Sequence, residues 1–130
     1  MPGERILAIE DNPLNAKLVR DALDAFGYDV TLSTTAEDGL ELARAEPPDL
    51  ILMDIHLPGM SGLEALEILK QDPALGAVPV VAVTASAMPM ERREILAAGF
   101  DGYQPKPLSV KDLIAEVTRL LDGEDAGGGT

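Results

Sequence analysis

The sequence predicts an α/β fold in which a doubly wound parallel sheet of five strands carries helices on both faces. Short apolar runs rich in Ile and Val recur along the chain, and each is followed by a segment with helical spacing. Unbroken apolar runs are typical of strands that are buried on both faces of a parallel sheet. Because crossovers between parallel strands are right-handed, five such β-α units place helices on both sides of the sheet.

The predicted strands are the apolar runs themselves, and the last of them is the weakest. They cover residues 6–9, 30–32, 50–53, 80–83 and 102–104. The first predicted helix begins at Asn12-Pro13, an N-cap followed by proline at the first helical position, and ends at Gly27. The second begins at Thr35 and ends before Pro47. The other predicted helices cover residues 63–71, 90–98 and 109–121.

Composition narrows the classes of function. The chain has 130 residues, which suits one domain, and a formal net charge of −13, which makes direct nucleic-acid binding a poor hypothesis. It has no Cys, which excludes disulfides, thiolate metal sites and thiol nucleophiles, and a single His excludes a multi-histidine metal centre. Aromatic residues make up 3% of the chain, so the core must be aliphatic.

Neither a secretory signal nor a membrane span is visible in the sequence. The most apolar run, residues 77–83, has seven residues and contains Pro79. It is too short for a membrane span, which needs about 20 apolar residues. We therefore expect a cytoplasmic protein without membrane contact. The glycine-rich stretch of residues 123–130 is expected to be a disordered tail, which leaves residues 1–122 for the folded domain.

Polar side chains follow four of the five predicted strands. Glu10 and Asp11 follow the first strand, Asp54 the third, Thr84 the fourth and Lys106 the fifth. Each residue alone is typical of a turn, a cap or a solvated surface. Because parallel strands direct their carboxyl ends to one edge of the sheet, where open α/β sheets bind ligands, we expect all five to lie together.

These residue types indicate phosphoryl chemistry. Carboxylates that share one edge repel each other, and Mg²⁺ resolves this repulsion because it prefers carboxylate and phosphate oxygens. The Lys106 ammonium and the Thr84 hydroxyl are suited to binding phosphoryl oxygens. An Asp carboxylate can itself be the nucleophile, and Asp54 is the best candidate because it ends the most apolar strand.

Over residues 5–121 the chain resembles the receiver domain of two-component response regulators. The motifs that carry the resemblance are residues 9–12 (IEDN), 52–62 (LMDIHLPGMSG), 83–85 (VTA) and 103–107 (YQPKP). The runs 50–55 and 79–88 are most similar to single-domain regulators of the cell-cycle type, which are DivK-like. The resemblance implies a flavodoxin-like sheet with strand order 2-1-3-4-5.

The resemblance also implies the roles of the residues at the sheet edge. Asp54 would accept a phosphoryl group from a phosphohistidine of a histidine kinase or phosphotransfer protein, in a reaction that needs Mg²⁺. Asp11, Asp54 and the backbone carbonyl of His56 would hold the ion, with Glu10 assisting through water. Many receivers have Asp where this chain has Glu10, so direct coordination by its longer side chain is less certain.

The same resemblance implies a switch. Lys106 would pair with the carboxylate or the phosphoryl group, Thr84 would move toward it, and Tyr103 would occupy the vacated space. The protein-binding surface formed by the fourth helix, fifth strand and fifth helix would change as a result. The bond between Lys106 and Pro107 matches one that is cis in the family.

Two further groups of positions complete the expectation. His56 and Ser86 match positions that tune the lifetime of the phosphoryl group, and the His56 side chain is expected to be solvated. Pro13, Leu14 and Leu18 are candidates for docking a helical bundle that presents the phosphohistidine, although core packing is the simpler role for one of the two leucines.

Three functions remain open at this point. The favoured one is a signalling switch, not an enzyme, that promotes only its own phosphorylation and dephosphorylation and acts as a monomer or weak dimer on a downstream protein. A Mg²⁺-dependent phosphatase is a second possibility, but such enzymes commonly have an acid where this chain has His56. A scaffold that is never phosphorylated is the third, and the presence of Asp54, Thr84 and Lys106 argues against it.

Overall fold

The computed structural model describes residues 3–85 and 89–122 and contains five strands that alternate with five helices. Each predicted strand lies within the observed one, and the predicted β-α alternation is confirmed. The third and fourth helices begin one residue earlier than predicted. The strands are β1 (Arg5–Ile9), β2 (Asp29–Ser33), β3 (Leu50–Asp54), β4 (Val80–Thr84) and β5 (Gly102–Pro105). The helices are α1 (Pro13–Ala25), α2 (Ala36–Ala45), α3 (Gly62–Gln71), α4 (Pro89–Ala98) and α5 (Val110–Leu121).

All strand pairs are parallel, as the sequence pattern predicted, and the sheet order is β2-β1-β3-β4-β5, as the resemblance to receiver domains implied. Every residue of β3 and β4 is buried. Both strands are apolar until their last residue, where Asp54 ends β3 and Thr84 ends β4. The polar groups therefore meet at the carboxyl edge of the sheet, and the middle of the sheet contains only apolar side chains of these two strands.

Two aliphatic clusters cover the two faces of the sheet. Successive strand residues point to opposite faces, so Ile6 belongs to one cluster and Leu7 to the other. The helices that pack over Leu7 are α2, α3 and α4, and those that pack over Ile6 are α1 and α5. Their buried contacts include Leu40, Leu66, Leu69 and Ile95 on the first face and Val19, Leu23, Leu113 and Val117 on the second.

Side-chain caps fix where the helices begin. The Asn12 side chain accepts the backbone N–H groups of Leu14 at 2.9 Å and Asn15 at 3.2 Å, and Pro13 is the first helical residue. In α3, Ser61 and Glu64 form a reciprocal capping box that the sequence analysis did not identify. Within residues 3–85 and 89–122, no helix is long and apolar enough to cross a membrane. The predicted tail of residues 123–130 lies outside the described residues.

Gly62 allows α3 to approach the end of β3 very closely. A Cβ atom at this position would lie 2.8 Å from the carbonyl oxygen of Asp54 and 2.9 Å from the Cα atom of Ile55. The Gly62 N–H group donates to the carbonyl oxygen of Ile55 at 3.1 Å. Because both close atoms belong to the backbone, a larger residue cannot be accommodated by rotation of a side chain. The first turn of α3 therefore holds the backbone that carries Asp54.

The Gly62→Ala substitution should destabilise the protein. We expect the free energy of unfolding to fall by about 2 kcal/mol, because an extra methyl group in a packed site forces the backbone to shift. Urea unfolding followed by circular dichroism measures this change. Gly76→Ala is the matched control, since the nearest backbone atoms to its Cβ would lie at 3.2 Å, and its loss should be smaller. Equal unfolding midpoints for Gly62→Ala and the wild type would contradict the prediction.

Candidate functional site

The carboxyl edge of the sheet brings together three carboxylates. Glu10 and Asp11 follow β1, and Asp54 ends the neighbouring strand β3. Each offers an oxygen atom, and these three atoms all lie within 4.8 Å of one another. Glu10 is 5% exposed and Asp54 is 3% exposed, whereas Asp11 faces solvent. The set offers the oxygen ligands that Mg²⁺ prefers, and exposed Asp11 leaves a side open to water, so these residues fit that ion.

Lys106 supplies a cation to this acidic cluster. Its Nζ atom lies 2.8 Å from Oδ2 of Asp54 and 3.3 Å from Oε1 of Glu10. Burial by itself lowers the pKa of Lys106, but the hydrogen bond to Asp54 and the charges of Asp54 and Glu10 outweigh it and raise this pKa above its usual value. The ammonium therefore stays charged at neutral pH. One ammonium against three carboxylates still leaves an excess of negative charge.

The carboxylate of Asp54 is held from both sides. Its Oδ1 atom accepts the backbone N–H of His56 at 2.9 Å, and its Oδ2 atom accepts the ammonium of Lys106. Each carboxylate oxygen has a second lone pair that can accept a further partner. Asp54 is thus fixed in orientation while it retains the capacity to bind a cation or to attack an electrophile.

Several opposing effects act on the pKa of the Glu10 carboxylate. Burial raises its pKa, the backbone N–H of Asn12 lowers it through a 3.0 Å hydrogen bond, and the charge of Asp54 raises it again. The nearby ammonium of Lys106 opposes these effects, but the net result is a pKa above the usual value for glutamate. The charged form of Glu10 is therefore disfavoured until a further cation is present.

Thr84 and Tyr103 each contact the first turn of α4. The buried Thr84 hydroxyl donates a hydrogen bond of 3.2 Å to Oε1 of Glu91. Tyr103 is half-buried against the aliphatic cluster under α2, α3 and α4, and the guanidinium of Arg92 lies 5.7 Å from the centre of its ring. No sequence pattern points to a role for Glu91 or Arg92, because the run of charged residues 91–94 is typical of a solvated helix face.

The remaining predicted site residues are His56, Pro107 and Ser86. The His56 side chain is exposed, and its Nε2 atom lies 3.8 Å from Oε1 of Glu91. The peptide bond between Lys106 and Pro107 is cis. Ser86 lies outside the described residues.

The predicted docking residues lie on α1 beside the acids. Pro13 and Leu14 are exposed, Leu14 to 78%, while Leu18 is half-buried. A largely apolar groove of about 420 Å³ runs from the acids along this helix, and its walls include Ala16 and Lys17. Leu14 is thus accessible to a partner, and Leu18 is partly used in packing.

Comparison with known proteins identifies the family to which this chain belongs. A sequence model of the response regulator receiver domain matches residues 6–118. The chain belongs to the response regulator receiver domain family. It is 44% identical over 116 residues to the polar-differentiation response regulator DivK of Brucella ovis, an alignment that covers 89% of this chain and 94% of that protein. The family assignment made from the sequence is therefore confirmed.

Solved receiver structures agree with the fold. The receiver domain of the sensor histidine kinase PA1611 from Pseudomonas aeruginosa is 32% identical, with a TM-score of 0.85 over 92% of this chain and 98% of that one. That structure has a magnesium ion coordinated in its active-site cleft. The chemotaxis response regulator CheY4 of Vibrio cholerae, 24% identical, shares the fold with a TM-score of 0.86 over 91% of this chain and 98% of that one. Receiver domains are signalling switches that bind Mg²⁺ and interact with histidine kinases or phosphotransfer proteins.

The raised pKa of Glu10 predicts how the Glu10→Gln variant will behave. Since the folded-state pKa is raised, the contribution of Glu10 to stability is full at low pH and is lost as the pH rises through that value. The Mg²⁺-free variant should therefore be more stable than the wild type at pH 7, while its Mg²⁺ affinity should fall roughly tenfold. Urea unfolding and calorimetric titration with Mg²⁺ measure the two effects.

Glu67→Gln is the control for this experiment, because Glu67 is an exposed residue of α3. In the wild type and this control, Mg²⁺ binding should weaken as the pH falls, because protonation of Glu10 removes a negative charge. The dependence on pH should be shallower in Glu10→Gln. A variant that binds Mg²⁺ as tightly as the wild type, or that unfolds more easily without it, would show that this account of Glu10 is wrong.

Proposed function

We propose that this receiver domain is a single-domain response regulator in which Asp54 accepts a phosphoryl group from a phosphohistidine of a histidine kinase or phosphotransfer protein. The observation that carries the proposal is the placement of Asp54. Its carboxylate is buried at the end of a central strand, is oriented by Lys106 and the His56 N–H, and shares its edge with two further acids.

The proposed transfer is a displacement at phosphorus. A carboxylate oxygen of Asp54 attacks the phosphorus atom, a P–O bond forms while the P–N bond breaks, and the electron pair of that bond returns to the imidazole nitrogen. Lys106 lies 2.8 Å from the attacking group, where its ammonium can bind phosphoryl oxygens. Asp11, Asp54 and the carbonyl of His56 would hold Mg²⁺, with Glu10 assisting through water, and the ion would supply further charge neutralisation.

The product carries the signal. A phosphoryl group adds about −1.5 to −2 of charge and three acceptor oxygens. We propose that Thr84 then bonds to the phosphoryl group and that Tyr103 moves into the space it leaves, so that the surface formed by α4, β5 and α5 changes and a downstream protein is bound or released. His56 and Ser86 are proposed to set how long the phosphoryl group survives.

The proposed donor docks on α1. Pro13 and Leu14 present an exposed apolar patch directly after the acids, and the groove beside them leads toward Asp11. A helical bundle seated there would bring a phosphohistidine to the carboxyl edge of the sheet. The formal charge of −13 supports protein partners and not nucleic acid.

The proposal extends to the organisation of the protein. We propose that residues 1–122 form the receiver domain, and the family match to residues 6–118 supports this extent. A cytoplasmic protein without membrane contact, monomeric or weakly dimeric, suits a partner of histidine kinases.

Incubation with acetyl phosphate and Mg²⁺ tests the proposal. The wild type should gain one labile phosphoryl group, and Asp54→Asn should gain none, because the amide is not a nucleophile. Lys106→Ala should react roughly 100-fold more slowly, since it lacks the cation that stabilises the developing charge. Intact-mass spectrometry measures the adduct and the rate.

Asp24→Asn is the matched control, because Asp24 is an exposed acid on α1, and it should be phosphorylated like the wild type. An adduct of equal amount in Asp54→Asn would refute the assignment of the acceptor. Hydrolysis of many phosphate esters per molecule would instead indicate a phosphatase.

A further inference from the structure

The hydroxyl of Thr84 is engaged by Glu91. Thr84 is buried at the end of β4, and its Oγ1 atom donates to Oε1 of Glu91 across 3.2 Å. A hydroxyl group has only one proton to donate. Phosphoryl oxygens are acceptors and need a donor, so the proton that Thr84 gives to Glu91 is the same one that a phosphoryl group on Asp54 would require. The two acceptors therefore compete for Thr84.

The charge of Glu91 strengthens this competition. A hydrogen bond to a carboxylate is stronger than one between neutral groups, so Glu91 is an effective rival for the Thr84 proton. A phosphoryl group that approached the same hydroxyl would bring a second negative charge toward Glu91, and like charges repel. The two arrangements of Thr84 thus exclude each other.

Arg92 makes a second contact from the same turn. Its guanidinium lies over the ring of Tyr103, 5.7 Å from the ring centre, which is the geometry of a cation–π interaction. Tyr103 is the residue proposed to move when Thr84 moves. Two consecutive residues of α4 therefore contact the two side chains of the proposed switch. Glu91 accepts a hydrogen bond from Thr84, and Arg92 makes a cation–π contact with Tyr103.

Among the described side chains of α4, few make apolar contacts that fix the position of the helix. Among side chains 91–98, Ile95 is buried, Glu91 is half-buried and the others are exposed. A helix that buries so few apolar side chains depends on polar contacts for its position. It can shift without the loss of a large buried area. The contacts of Glu91 and Arg92 are placed to determine where its first turn lies.

We propose that Glu91 is a positioning residue that holds Thr84 in the unphosphorylated arrangement, with Arg92 holding Tyr103 from the same turn of α4. This inference rests on the proposed function, because it concerns the same switch. Glu91 opposes the binding of Thr84 to a phosphoryl group on Asp54. Phosphorylation of Asp54 must therefore break the hydrogen bond between Glu91 and Thr84. Loss of Glu91 makes the phosphorylated arrangement easier to reach.

The experiment compares Glu91→Ala, which removes the acceptor, with Glu91→Gln, which retains an acceptor oxygen without the charge. Glu94→Ala is the matched control, because it removes the same charge from an exposed position on the same helix. Beryllofluoride with Mg²⁺ serves as the phosphoryl analogue. We expect Glu91→Ala to bind it about fivefold more tightly, which is what loss of one competing half-exposed hydrogen bond supports. Glu91→Gln should be intermediate, and Glu94→Ala should match the wild type.

A double-mutant cycle with Thr84→Val isolates the contact itself. Without the hydroxyl there is nothing for Glu91 to hold, so Glu91→Ala should have no effect on beryllofluoride affinity in the Thr84→Val background. An effect that persists in this background, or one that Glu94→Ala reproduces, overturns the inference. A general loss of helix stability or of negative charge would produce those two results.

Nuclear magnetic resonance on the protein without any phosphoryl analogue separates this inference from the proposed function. The Thr84 side-chain rotamer should change in Glu91→Ala and stay unchanged in Glu94→Ala, and the Tyr103 ring protons should shift in Arg92→Ala but not in Arg93→Ala. If the Thr84 rotamer is the same in Glu91→Ala and the wild type, the inference is overturned. If the rotamer changes but the wild type never binds beryllofluoride or takes up phosphate, Glu91 is upheld as the residue that positions Thr84 and the proposed function fails.

Discussion

The ion pair between Asp54 and Lys106 joins the end of a central strand to the loop that follows the edge strand β5. A carboxylate that is 3% exposed would be costly without a partner, and the ammonium at 2.8 Å offsets that cost. The same ammonium also serves Glu10 at 3.3 Å. One cation is shared between two buried acids, and exposed Asp11 lies close by. The carboxyl edge of the sheet therefore keeps an excess of negative charge that a further cation can neutralise. The ion pair thus stabilises the fold and leaves the site incomplete.

The parallel register makes this arrangement possible. In the ladder, Asp54 of β3 pairs with Val83 of β4, and Thr84 pairs with Pro105 of β5. The last residues of neighbouring strands therefore stand side by side at one edge, although they are 21 to 45 positions apart in the chain. Apolar residues fill β3 and β4 up to their last positions, so the polar groups of these two central strands lie at this edge. Sheet packing and site assembly are two results of one pattern.

Most of the fold follows from short-range patterns in the sequence, and the contacts of α4 do not. The apolar runs identified the strands because a doubly covered strand admits little else, and Asn12-Pro13 identified the start of α1 because capping is local. The approach of Gly62 to the backbone of Asp54 depends on how two elements pack, which no local signal encodes. The contact of Glu91 with Thr84 spans seven positions and depends on where α4 lies, so the sequence offered only a charged helix face.

Asn12 connects the acidic cluster to the start of α1. Its backbone N–H binds the carboxylate of Glu10, and its side chain accepts the first N–H groups of α1, one of them that of Leu14. Leu14 and Lys17 face solvent on the outer side of this helix, and Lys17 pairs with Asp21 at 2.7 Å. Under the proposed docking of the donor on α1, substitutions on this outer face after gene duplication would insulate new pairs of signalling proteins from one another, while Asn12 keeps its contacts with Glu10 and the start of the helix.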